Sequence, residues 1–163
     1  MSGAAQQPGD SVSARSELMG LRNQLAAERA AVRAAFESRR EPNLQLQRHR
    51  RTVDRTLRSL WSVLSLPRSL SMLAVGGYGR GELFPHSDVD VLVLLPESVD
   101  AAVASKIEDL IGRLWDIGLE VGHSVRTVSD CLEEAAKDIT VQTALLESRL
   151  VAGSRTLYRE FDR

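Results

Sequence analysis

Hydrophobic residues recur at helical spacing from Leu18 to Phe36 (Leu18, Leu21, Leu25, Val32, Phe36), with Arg and Glu between them, and predict a first amphipathic helix. Pro42 breaks that period and is placed to open the next helix, because proline is tolerated at a first helical position. Val53, Leu57, Leu60, Trp61 and Leu64 fall on one face of this second helix, and Pro67 ends it. Beyond Pro67 the period shortens. Leu70 to Val75 is a short apolar run with strand character that ends in the cluster Gly76-Gly77-Tyr78-Gly79-Arg80-Gly81. Asp88 to Leu95 (DVDVLVLL) is the strongest strand, β-branched, apolar and closed by Pro96. Ser98 is placed as the cap of a helix with Val103, Ile107, Leu110, Ile111 and Leu114 inward, stopped by Gly118. Leu119 to Thr127 alternates as a third strand. Asp130 begins a short helix, and a longer one carrying Val141, Leu145 and Leu150 is expected to run to Gly153. Leu157, Tyr158 and Phe161 start another helix in residues 154–163, at whose end the chain stops partway through an element, as a fragment would.

Outside these elements, residues 1–14 are small and polar, with the composition of a disordered tail. The 163 residues suit one domain, and 43% hydrophobic with 26% charged residues is an ordinary globular balance. No apolar run reaches the ~18 residues of a membrane span, and no apolar leader follows Met1, so a reducing cytoplasm is the expected setting. A single cysteine, Cys131, excludes an internal disulfide framework and a cysteine-based zinc cluster.

The net charge of −1 conceals an asymmetry: residues 1–72 carry twelve Arg against six acids, and residues 73–163 carry nine basic against sixteen acidic residues. A basic half can attract an anionic polymer. Aromatic residues total only 4%, too few for base-stacking platforms, so the basic half reads as solvated helix faces rather than a nucleic-acid surface.

Chemistry concentrates between Gly76 and Leu95. Asp88 and Asp90 are two apart on a predicted strand and so share a face, while Val89 and Val91 point the other way into a core. Two carboxylates that close repel each other unless a cation lies between them. Oxygen donors select Mg²⁺ or Mn²⁺ over zinc, and such ions are commonly held by one or two carboxylates plus substrate phosphates. An isolated Asp-x-Asp is most often a solvated strand face, but this strand is otherwise apolar on both faces. Four glycines within six residues, directly after a strand, let backbone amides approach phosphate oxygens. The spacing is neither that of a Walker A loop nor that of a dinucleotide fingerprint.

Gly76-Gly77, then ten residues, then Asp88-Val89-Asp90-Val91 resembles the signature of the DNA polymerase β-type nucleotidyltransferase superfamily. The longer string GGYGRGELFPHSDVDVLVL is more specific and is similar to the N-terminal nucleotidyltransferase domain of bacterial PII-protein uridylyltransferase/uridylyl-removing enzymes. LWDIGLEVGHSVRT and DITVQTALLESRLVAG also resemble that family, so the likeness covers about Leu57 to Phe161. It implies an α+β fold: a small mixed sheet of the nucleotidyltransferase type, flanked by helices, with an N-terminal helical segment. It divides the chain into a tail (1–14), a helical segment (15–67), a nucleotidyltransferase core (68–153) and the start of a further helix (154–163).

The reaction implied is transfer of UMP from UTP to a tyrosine of the nitrogen-regulatory protein PII, with release of pyrophosphate. Asp88 and Asp90 would hold Mg²⁺ or Mn²⁺, and Gly76 and Gly77 would cradle phosphates. Arg80 is a candidate phosphate ligand by a forked contact, with a surface salt bridge as its other role. Ser87 is a candidate donor or a turn residue. The family's third carboxylate is assigned to Glu120 in preference to Asp116; related adenylyltransferases carry an aspartate near the position of Gly122. His86, His123, Arg126 and Thr140 are secondary candidates, and Asp138 is better explained as a helix cap. Full-length enzymes of this kind also carry a UMP-removing phosphohydrolase domain and glutamine-sensing domains, which 163 residues do not accommodate, so transfer without removal is the expectation. The competing readings are a catalytically incomplete module that binds nucleotide or PII, and an adenylyltransferase acting on another protein.

Overall fold

Two long helices lead into a four-stranded sheet. The computed structural model describes the backbone of residues 8–39, 42–84 and 86–163 and the side chains of residues 15–35, 43–84 and 86–163. Helix α1 spans Pro8–Arg39 and α2 spans Pro42–Val63, so Pro42 does open the second helix. Helix α1 starts inside the stretch expected to be disordered: eight to fourteen are helical, and residues 1–7 lie outside the described residues. The side chains of Phe36, Arg39 and Arg40 also lie outside them. The two helices run back along each other. Arg55 Nη1 donates to Glu28 Oε1 at 2.9 Å, and Arg29 Nε donates to His49 Nε2 at 3.3 Å. Leu18 and Leu25 of α1 meet Val53, Leu57 and Leu60 of α2 in the core, as their 3.6-residue period requires.

The sheet is built from β1 (Ser71–Ala74), β2 (Val89–Leu95), β3 (Val121–Thr127) and β4 (Arg149–Gly153), in the order β3-β2-β1-β4. A five-residue helix, α3 (Gly76–Arg80), joins β1 to the turn before β2. Strands β1 and β2 are antiparallel, β2 and β3 are parallel, and β4 returns antiparallel to β1. The parallel step needs a crossover, supplied by α4 (Ala101–Asp116). After β3 come α5 (Val128–Lys137) and α6 (Ile139–Leu146), and α7 (Arg155–Phe161) follows β4. This is the small mixed sheet flanked by helices that the resemblance implies.

Period-two alternation sorts the sheet into two cores. Met72, Ala74, Val89, Val91, Val93 and Val121 face α1, α2 and α4, while Leu73, Leu92 and Leu94 face Cys131 of α5 and Leu157 of α7. Three boundaries differ from the sequence reading. Helix α4 is capped by Asp100, whose Oδ1 accepts from Val103 N at 2.8 Å, and not by Ser98. Helix α5 is capped by Thr127 in a reciprocal box with Asp130, three residues before the expected start. The long helix expected to reach Gly153 ends at Leu146 and gives way to β4. Leu150 and Val151 pack into opposite cores, which adjacent residues of a strand do and adjacent residues of one helix face do not. Asp138 caps α6 as expected, its Oδ1 accepting from Thr140 N at 2.7 Å.

Candidate active site

Strand β2 is buried along its length except at its start, where Asp90 stands exposed in the phase of Leu92 and Leu94. Asp88, just before the strand, is exposed as well and shares that phase. The register places Asp90 beside Gly122 of β3. A Cβ on Gly122 would overlap Asp90 Oδ1, so a glycine is required for the carboxylate to lie across β3. On the other side, a Cβ on Gly76 would sit 3.9 Å from Asp90 Oδ2. The Asp90 carboxyl is therefore flanked by two glycines from different elements. Its pKa is raised from the ordinary carboxylate value, first by burial among these neighbours and then by the negative charge of Asp88.

Gly76 opens α3 with φ of +56°, in the left-handed region that favours glycine. Val75 precedes it as an N-cap whose side chain makes no capping hydrogen bond, so the side chain at this helix start supplies no acceptor to the first-turn amides. Val75 N donates instead to Asp90 O at 3.1 Å, which ties the helix start to β2. Gly77 is not in the left-handed region: a Cβ there would meet Glu82 O at 3.5 Å, an ordinary contact. The turn is made one residue earlier, at the junction of β1 and α3.

The other candidates are dispersed around this centre. Arg80 is engaged on both sides: Nε donates to Glu82 Oε2 at 3.1 Å, and Nη1 donates to Glu147 Oε2. Those two hydrogen bonds raise its pKa. Ser87 is in the turn before β2, where its N–H donates to Phe84 O at 3.1 Å. Glu120, just before β3, lines a small groove of about 130 Å³ with Arg29, Val32, Arg33, His49 and His86, and its charge acts on Arg29. It does not gather with the aspartates: among the described residues no group of three or more His, Cys, Asp or Glu side chains could hold a metal ion. Asp116 is the exposed last residue of α4. His123 and Arg126 are on β3, level with Val91 and Leu94.

Sequence reasoning missed a set of residues behind the glycine helix. Tyr78 Oη donates to Asp54 Oδ1 at 2.6 Å, and Arg149 forks onto the same carboxylate with both Nη atoms at 2.9 Å. The Arg50 side chain lies against Gly81, with Nη1 2.9 Å from where a Cβ would be. Arg58 and Arg55 of the basic half are likewise engaged internally, with Asp54 and Glu28. The available signal was an acid, Asp54, next to Val53 on the apolar side of α2.

The two carboxylates and the helix-start amides beside them suit a divalent cation shared with substrate phosphates: a cation relieves both the partial burial and the Asp88 repulsion that raise the Asp90 pKa. Comparison with known proteins places the chain among nucleotidyltransferase domains. The chain is 53% identical over 146 residues to the bifunctional uridylyltransferase/uridylyl-removing enzyme of Bordetella parapertussis, covering 90% of this chain and 17% of that protein. The enzyme of the same name from Cupriavidus metallidurans is 50% identical over 139 residues, 85% of this chain and 16% of that protein. That of Aromatoleum aromaticum is 49% identical over 142 residues, 87% of this chain and 16% of that protein. The chain thus spans about a sixth of the length of the curated relatives it matches. Residues 51–143 match the family model described as a nucleotidyltransferase domain, a span that exceeds half of the chain and runs from α2 to α6, with Gly76, Asp88, Asp90 and Gly122 inside it. By that match, the chain belongs to the nucleotidyltransferase domain family.

Proposed function

We propose that this chain transfers UMP from UTP to a tyrosine hydroxyl of the nitrogen-regulatory protein PII. The observation that carries the reading is the placement of Asp90, with Asp88 beside it, between the glycine that opens α3 and Gly122 of β3. Identity near one half to proteins named uridylyltransferase supports the choice of nucleotide. Asp88 and Asp90 would hold Mg²⁺ or Mn²⁺, which supplies charge neutralisation of the attacking and leaving oxygens when bound. The Gly76 and Gly77 amides would receive phosphate oxygens of the leaving pyrophosphate. The tyrosine oxygen forms a bond to the α-phosphorus, and the bond from that phosphorus to the bridging oxygen of pyrophosphate breaks. Glu120, in the groove beside His86, is the carboxylate proposed to take the tyrosine proton. Arg80 and Ser87 border the triphosphate in this reading; Arg80 reaches a phosphate by leaving Glu147 or Glu82.

A second reading has one observation in its favour. Glu120 faces Arg29 and does not join the aspartates, as a nucleotide-binding module without transfer activity would allow. One experiment separates the two: incubate the chain with PII, Mg²⁺ and α-labelled UTP or ATP, and follow label on PII and pyrophosphate release. Label from UTP, dependent on Mg²⁺, is expected. Nucleotide binding with no label on PII would leave the module; label from ATP in preference to UTP would move the chain to the adenylyltransferases.

A further inference from the structure

Helix α3 is five residues long, too short to hold its own shape, and no side chain caps its start. Its position has to be imposed from outside, and the structure shows by what. Tyr78 projects from the middle of α3 into the interior, where it is 1% exposed, and its hydroxyl donates to Asp54 of α2. Asp54 is 6% exposed and also receives the Arg149 fork from the first residue of β4. The Arg149 guanidinium lies over the Tyr78 ring, 5.3 Å from its centroid, and Nη2 reaches Tyr78 O at 3.5 Å. The next residue, Gly79, packs so closely on the Glu147 backbone that a Cβ would overlap it. Three residues 24 and 71 positions apart in sequence thus meet at one point beneath the glycine helix.

We propose that Asp54, Tyr78 and Arg149 form a clamp that sets the position of α3 relative to the β2 carboxylates and thereby sets nucleotide affinity; the proposal rests on the nucleotide reading above. These are positioning residues, since their contacts run to one another and not to Asp88 or Asp90. Their chemistry suits the task. Burial, followed by the Asp54 charge and hydrogen bond, pushes the Tyr78 pKa far up, so the phenol stays a proton donor. Burial works against the Arg149 charge, but the Asp54 hydrogen bonds and charge outweigh it and keep the guanidinium ionised. A buried ion pair is a weak source of net stability. What it does supply is direction: a planar fork and a carboxylate meet in one geometry. Asp90 is held by the register of β2 with β3, two strands to which none of the three clamp residues belongs, and Asp88 stands just before β2. The clamp therefore acts on one half of the site, the phosphate side, and leaves the cation side in place.

That separation gives the test. Tyr78→Phe removes one hydroxyl and keeps the ring under Arg149; Arg149→Lys keeps the charge and loses the fork. Affinity for Mg·UTP is measured by calorimetry, and affinity for Mn²⁺ alone by electron paramagnetic resonance, on wild type and both variants. Each variant is expected to bind Mg·UTP about five- to tenfold more weakly, the scale of the net contribution of one ordinary hydrogen bond. Mn²⁺ affinity is expected to stay within about twofold, because preorganisation is lost only at α3. Wild-type UTP affinity in folded Tyr78→Phe would overturn the clamp. So would a parallel loss of UTP and Mn²⁺, which marks general loosening. If Arg149→Lys fails to fold, Tyr78→Phe decides alone. If the wild type binds no Mg·UTP, the nucleotide reading itself falls and takes this proposal with it, a result distinct from failure of the clamp.

Discussion

The two ends of β2 show opposite uses of one strand face. At its C-terminal end, Leu92 and Leu94 are fully buried against Cys131 and Leu157. At its N-terminal end, the same phase carries Asp90, and Asp88 just before it, both open to solvent. The backbone is continuous and the sheet register unbroken between them. What changes is the cover: α5 and α7 close one end, and a glycine turn and Gly122 leave the other clear. The lesson is a division of labour. The closed end holds the strand in place, and the open end can then keep two carboxylates that repel each other.

Four changes probe that division, in order of expected size. Leu92→Ala deletes a fully buried side chain and should cost about 2–5 kcal/mol in urea unfolding. A loss below about 1 kcal/mol would mean that this end is not the anchor. Gly122→Ala places a methyl group against Asp90 Oδ1, the free end of a side chain that can turn away. Stability should hold while UMP transfer falls about ten- to a hundredfold, the scale of a small misplacement of a reacting group; unchanged transfer would show that Asp90 works from another rotamer. Thr127→Ala removes the capping box at the far end of β3 and should lower stability by about 1 kcal/mol without touching transfer. The smallest effect is a pH slope. Burial holds the His49 pKa below 6.5, aided by the charges of Arg29 and His86 and opposed by its bond to Leu83 O. The unfolded chain therefore binds that proton first, so stability is full above pH 6.5 and declines as pH falls below it. Denaturation midpoints at pH 7.5 and 5.5 should differ less in His49→Gln than in wild type.

Much of this was legible locally. The period of Ile107, Leu110 and Leu114 gives α4, the alternation of β2 gives the same-face aspartates, and the glycine cluster marks the end of the first strand. Strand β4 was not, because Leu145 and Leu150 read as a continuing helix and no glycine or proline breaks the chain between Leu146 and Arg149. Only the free edge of β1 decides that Arg149–Gly153 is a strand, and that is a tertiary fact. The same holds for the clamp: Asp54 and Arg149 are 95 residues apart, and the local partner of Asp54, Arg58 one turn on, reads as an ordinary helix-face pair. Glu120 precedes β3 and lines a groove with Arg29 of α1, a residue far away in sequence that no local pattern pairs with it.

The most direct test of the central claim is Asp90→Asn, with UMP transfer to PII and thermal melting measured on the same sample. The substitution neutralises one member of a repelling pair without changing its size. The account predicts transfer reduced to background and a melting temperature equal to wild type or slightly higher. A folded Asp90→Asn protein that still transfers UMP would contradict it.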